Sequence, residues 1–170
     1  MTSTRPAPGT WALDPSATTV VVSARKLGLF TIPATLNVVS GTIEVGEDHE
    51  ITSVEVVADA SSYASKNAKR NEHVISPDFL DAGAHPTIVF RSEGVADATD
   101  GVVSHGTVTV KGQDAQIEVV VANIDVADDA GSFVATATVD RNAIGVGRMP
   151  SAIIGRQLDI TVSATAGRRA

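Results

Sequence analysis

The chain has no cysteine, which removes disulfides, thiolate nucleophiles and cysteine-ligated zinc from consideration. Aromatic residues make up 4% of its 170 positions, too few to fill a large core with rings. Basic residues are in the minority: 13 Lys and Arg face 20 Asp and Glu, for a formal net charge of -7. Such a surface repels a phosphate backbone, so nucleic acid and anionic membrane surfaces are poor partners. No segment approaches the run of about 18 apolar residues that a spanning helix needs. The opening MTSTRPAPGTW carries no apolar leader, so the expectation is a cytoplasmic protein without a membrane span.

Catalytic signatures are missing too. No serine stands in a Gly-x-Ser-x-Gly elbow. Gly145, Gly147 and Pro150 lack the third glycine of a dinucleotide fingerprint, and no βαβ pattern follows them. His73 and His85 flank a helical region without a third ligand of suitable spacing, and Asp125, Asp128 and Asp129 read as a hairpin turn beside Gly131. The sequence therefore offers no recognisable catalytic motif and no complete metal ligand set.

What is present is strand. At 43% hydrophobic the chain can bury one core, and runs of valine, isoleucine and threonine recur about every ten to fifteen residues between turn clusters. Alternation assigns an inward face to Val20, Val22, Ala24 and Lys26, then to Val54, Val56 and Ala58, and to Ile88 and Phe90. Val108 and Val110 follow, with Ile117, Val119 and Val121, Phe133 to Val139, and Leu158 to Val162 in the same alternation. The period slips at Val38 and Val39, which predicts a bulge there.

The pattern amounts to about eight antiparallel strands, enough to close an all-β barrel with a packed or hollow lumen. The scarcity of rings favours a hollow one; a two-sheet sandwich is the alternative on pattern alone. One helical insertion is predicted between Ser65 and Gly83, with Ser76 as N-cap, Pro77 in the first turn and Gly83 as the left-handed stop. Pro86 then holds His85 extended ahead of the next strand. Residues 1–9 are expected to be disordered, 10–166 to form the barrel and 167–170 to fray.

These pieces resemble the YceI-like family of lipocalin-like, polyisoprenoid-binding barrels. The resemblance rests on WALDP at 11–15, VVVSARKLGLF at 20–30, SGTIEV at 40–45 and the segment 70–92. GTVTVKG at 106–112, VDRNAIGVG at 139–147 and LDITVSA at 158–164 follow in the family's order. It implies an elongated eight-stranded barrel with a helical segment at one end, enclosing a polyisoprenoid or an isoprenoid quinone. Where the family usually carries histidine after the opening motif, this chain has Lys26; its usual glycine and aromatics in the next strand are Ala34, Leu36 and Val39.

The expected site is a continuous apolar tunnel lined by Val22, Ala24, Val56, Phe90, Val110, Val119, Ala137 and Ile160. Lys26 ends its strand in the inward phase, where an ammonium either meets a head group or reaches solvent. Arg141 shares the phase of Val139, as an ion-pair partner at the barrel end or as a ligand contact. The resulting function is non-enzymatic binding, sequestration or transport of an isoprenoid-type ligand, with no required cofactor and a homodimer left open. Two alternatives stand beside it: an enzyme using Lys26 or His73 as acid or base in the same cavity, and a filled barrel serving as an interaction module.

Overall fold

The computed structural model describes residues 6–27, 29–77, 79–98, 101–140, 143 and 154–169, with backbone only at 25, 26, 97, 98 and 154–156. In chain order the elements are β1 (Gly9–Leu13), a 3-10 turn (Pro15–Ala17), β2 (Thr19–Lys26), β3 (Phe30–Val45), β4 (Ile51–Ala64) and α1 (Ala68–Ile75). Then come β5 (Thr87–Ala98), β6 (Gly101–Val110), β7 (Gln113–Ala127), β8 (Ala130–Asp140) and β9 (Ile154–Arg168). Each strand from β2 onward pairs antiparallel with its successor, and β9 pairs with β2 to close the sheet.

The nine strands make eight staves. β1 lies between the same two neighbours as β2, further along them: Ala12 opposes Thr42 of β3, while Val20 opposes Leu36. β1 and β2 are thus one stave broken at Asp14–Ala17. Pro15 has no N–H for a ladder, and the Asp14 carboxylate accepts from the Ser16 N–H at 3.0 Å and the Ser16 hydroxyl at 2.7 Å. Those bonds hold the Asp14 carboxyl below its ordinary value. The result is a closed eight-stranded antiparallel barrel with one short helix, not a sandwich.

Closure leaves the staves of a barrel without a free edge, and alternation fills the inside. On β3, Ala34, Leu36 and Val38 are buried, Val39 and Ser40 are exposed, and Gly41, Ile43 and Val45 are buried again. The register with β4 shifts between Val38 and Ser40, so the bulge predicted from the period slip is present. Trp11, Leu13, Ile43, Val45, Val126, Ala164 and Ala166 pack together at the β1 end. Leu80, Val108, Val110 and Val139 pack together at the helix end.

The helix lies within the expected segment but its caps do not. Asn67 is the N-cap, its side chain accepting from the Arg70 N–H at 3.0 Å, and Ser76 is the C-cap, its N–H donating to the His73 carbonyl. The helix ends on an extended residue, Ser76 (φ -71, ψ 167), not on a left-handed glycine; the positive φ in the turns that follow belongs to Asp81 (φ 49), not Gly83. A Ser-Pro pair suits a helix start locally, but the chain here must turn back into the barrel: the Leu80 N–H donates to the Val74 carbonyl and the Ala82 N–H to that of Ile75. Leu80 and Ala82 are thereby buried. Asn71 fastens the insertion to the end of β4, accepting from the Ser65 N–H at 2.8 Å and donating to the Ser65 carbonyl at 3.3 Å. The two histidines go to different neighbours, His73 to the edge-on ring of Phe79 at 4.8 Å and His85 to the side of Gly112.

Order also extends further toward the termini than expected. Gly9 already begins β1, and the carbonyls of Pro6, Ala7 and Pro8 contact His49, Trp11 and Arg168 respectively. At the other terminus the Arg168 N–H donates to Asp129 and the Arg169 N–H to Thr10. Residues 1–5 and Ala170 lie outside the described residues.

Candidate ligand-binding cavity

The inward positions of the staves are mostly apolar, yet the inside is not full. The inward residues of β7, Ala115, Ile117, Val119 and Val121, are only half-buried, and no large side chain among the described residues is less than 2% exposed. An eight-stranded barrel is wide enough either to be filled by side chains or to hold one small ligand. The space left is a cavity of about 190 Å³.

It runs from Trp11 and Phe133 at the β1 end, past Val56, Phe90 and Val119, to Val108 and Ile117 beneath the helix end. Trp11, the single tryptophan, is 3% exposed and donates its indole N–H to the Ala7 carbonyl at 3.0 Å. Phe90 reaches the wall because Gly106 beside it has no side chain: a Cβ there would stand 2.6 Å from Phe90 Cε2 and 2.3 Å from the Arg91 carbonyl oxygen. The ring occupies the place a β6 side chain would take. Ser104, two residues along β6, also faces the cavity.

Of the residues expected to line the tunnel, Val22, Val56, Phe90, Val119, Ala137 and Ile160 are in the cavity wall. Val110 is not. It is 4% exposed and packs with Leu80, Val108 and Val139, in a plug that also draws in Tyr63, Val74 and Phe79. Ala24, paired with Ile32 and Leu158, lies outside the wall as well. Among the described residues this cavity ends short of Val110 and Ala24. Alternation says that a residue points inward; it does not say whether another segment fills the lumen at that level.

The Lys26 side chain and Arg141 lie outside the described residues. The Lys26 backbone pairs with Phe30 and Ile154, and the register with β9 shifts between Ala24 and Lys26. Its sequence phase with Ala24 is thus interrupted on that side. The inference from sequence missed Trp11, Ile124 and Ser104. Ser104 shares the period-two phase of Val108 and Val110, so the signal was there; a hydroxyl among valines was passed over. Ile124 was hidden by a register shift after Ala122, where Asn123 takes φ 53.

Among the described residues the wall carries no carboxylate, imidazole, amine or guanidinium. In the plug, burial pushes the Tyr63 phenol above its ordinary value and the Arg70 guanidinium draws it partly back. No helix among the described residues is long and apolar enough to cross a membrane.

A family model described as the YceI-like domain matches residues 11–166. A UPF0312 protein of Vibrio vulnificus (strain YJ016) is 38% identical over 76 residues, 44% of this chain and 40% of that protein. A Vibrio cholerae UPF0312 protein is 38% identical over 63 residues, 36% of this chain and 33% of its own. The matched region thus spans about two fifths or less of these curated relatives. Among solved structures, BcnA of Burkholderia cenocepacia superposes with a TM-score of 0.79 at 18% identity, covering 90% of this chain and 98% of BcnA. A polyisoprenoid binding domain from Saccharophagus degradans superposes with a TM-score of 0.65 at 9% identity, covering 94% and 98%. At such identities the superpositions speak for the fold.

Proposed function

Because the chain belongs to the YceI-like family, we propose that its barrel binds an isoprenoid-type molecule, a polyprenyl lipid or isoprenoid quinone, and sequesters or carries it without chemical change. The observation that carries this reading is the hollow, carbon-lined cavity, in a fold shared with a polyisoprenoid binding domain from another organism. Burial supplies the affinity. At about 25 cal/mol per Å² of apolar surface, a few prenyl units bring enough for submicromolar binding after ordering costs are met. Among the described residues the wall holds no ionisable side chain, so the cavity as described lends the enzyme alternative no acid or base. The cavity argues against a filled interaction module.

Size bounds the ligand. An apolar cavity of roughly 150 Å³ suffices for benzene, and drug-sized pockets begin near about 300 Å³. At about 190 Å³ the resting cavity holds a ring or about one to two isoprene units, and a longer chain requires the plug to yield.

Trp11 provides a built-in probe. Its fluorescence is expected to fall saturably on titration with benzoquinones carrying zero to four prenyl units. Affinity should rise about tenfold or more per unit until the cavity is full. Absence of a saturable response to any member of the series would refute the reading.

A further inference from the structure

Among the described residues Ser104 is the buried hydroxyl-bearing residue of the cavity wall, since Ser132 and Thr136, which also border it, are exposed on the outer phase of β8. Ser104 sits within β6, paired with Val95 on one side and Val119 on the other, is 2% exposed and borders the cavity with its hydroxyl oxygen covered, so that a rotation about χ1 between staggered rotamers presents it to the lumen. Among the described residues its hydroxyl is the buried side-chain polar atom with no hydrogen-bond partner in the protein. Other hydroxyls in comparable positions are used: Ser92 Oγ accepts from the Val54 N–H at 2.8 Å, and Thr18 Oγ1 from the Thr165 N–H at 3.5 Å. Burying an unpartnered hydroxyl costs free energy that alanine at the same place would avoid. Two residues along the same strand, the Phe90 ring lies over Gly106 and presents an aromatic surface to the same cavity.

We propose that Ser104 is the polar contact for the ligand's head group, donating to or accepting from a neutral ring oxygen, a quinone carbonyl or a phenol, lodged inside the barrel beside Phe90. This rests on the isoprenoid-binding reading and sharpens it. A single O–H offers too little to compensate a buried phosphate, because an ionised group in apolar surroundings needs a counter-charge and several donors. A neutral planar head asks only for one hydrogen bond and a ring to stack against. The head group is thereby assigned to the barrel interior, not to Lys26 at the strand end.

The test compares wild type, Ser104→Ala and Lys26→Met against farnesyl benzoquinone, farnesyl diphosphate and the C15 hydrocarbon farnesene, read by Trp11 fluorescence and calorimetry. Ser104→Ala is expected to weaken the quinone about five- to tenfold, the equivalent of one net hydrogen bond. Farnesene affinity and thermal stability should be unchanged or raised by that substitution, and Lys26→Met should leave the quinone unaffected. Equal affinities of wild type and Ser104→Ala for the quinone would overturn the proposal, as would a parallel loss for farnesene. So would wild type preferring the diphosphate, or a loss of stability in Ser104→Ala, which would mean the hydroxyl already has a structural partner such as water. If farnesene binds wild type and only the Ser104 discrimination fails, the isoprenoid reading survives; if no probe binds wild type, that reading fails first.

Discussion

Ala137→Trp should abolish ligand uptake while leaving the barrel folded. Ala137 lies on β8 between Val119 and Ile160, is half-buried and forms part of the cavity wall. An indole projected from that point occupies most of a space of about 190 Å³. In a solid core the same substitution would cost upward of roughly 1–3 kcal/mol through displaced neighbours. In a hollow one the ring meets empty volume and gains contacts. Circular dichroism and thermal melting check the fold, and calorimetry with a prenyl quinone checks uptake. A variant that unfolds would mean the lumen is filled and would remove the main support for binding.

Gly106→Ala, behind the wall residue Phe90, should destabilise the barrel. The added Cβ would stand 2.3 Å from the Arg91 carbonyl oxygen, an atom fixed in the ladder between β5 and β6, where Arg91 opposes Thr107. Phe90 Cε2 would be 2.6 Å away, so the ring must leave the wall for the cavity. A cost of roughly 1–3 kcal/mol, at about 2–4 °C per kcal/mol for a chain of this size, lowers Tm by roughly 2–12 °C. Gly83→Ala is the control: a Cβ there meets nothing within 4 Å, and Tm should be unchanged. Equal melting of both variants and wild type would show that the close approach at Gly106 is not a packing constraint.

The barrel was legible in the sequence because a half-buried strand must repeat its apolar residues with period two. Val54, Val56 and Ala58, or Phe133, Ala135 and Ala137, leave no other face to bury. The helix was legible as an interruption of that period, and its position was not. Asn67 and Ser76 are both capping residues, and the choice between them was decided by Leu80, whose burial requires the chain after Ile75 to fold back. That contact joins distant parts of the chain and leaves no local mark. The broken first stave was invisible for a similar reason, since β1 and β2 become one stave only through their shared neighbours β3 and β9.

The same distinction separates the parts of the site. Phase along a strand placed Val22, Val56 and Ile160 correctly toward the inside, because phase is local. Depth is not local, and Val110 shares the phase of Val108 while lying in the plug. Ser104 is a further case: its hydroxyl becomes informative only once the fold shows it buried without a hydrogen-bond partner among the described residues.

The central claim is that this chain holds an apolar molecule inside its barrel, and the most direct measurement is native mass spectrometry of wild-type protein purified without detergent. The expected result is an adduct of a few hundred daltons, released by organic extraction, restored by incubation with a prenyl quinone and missing from Ala137→Trp. A wild-type mass equal to that of the bare chain, unchanged after incubation with prenyl quinones or prenols, would contradict it.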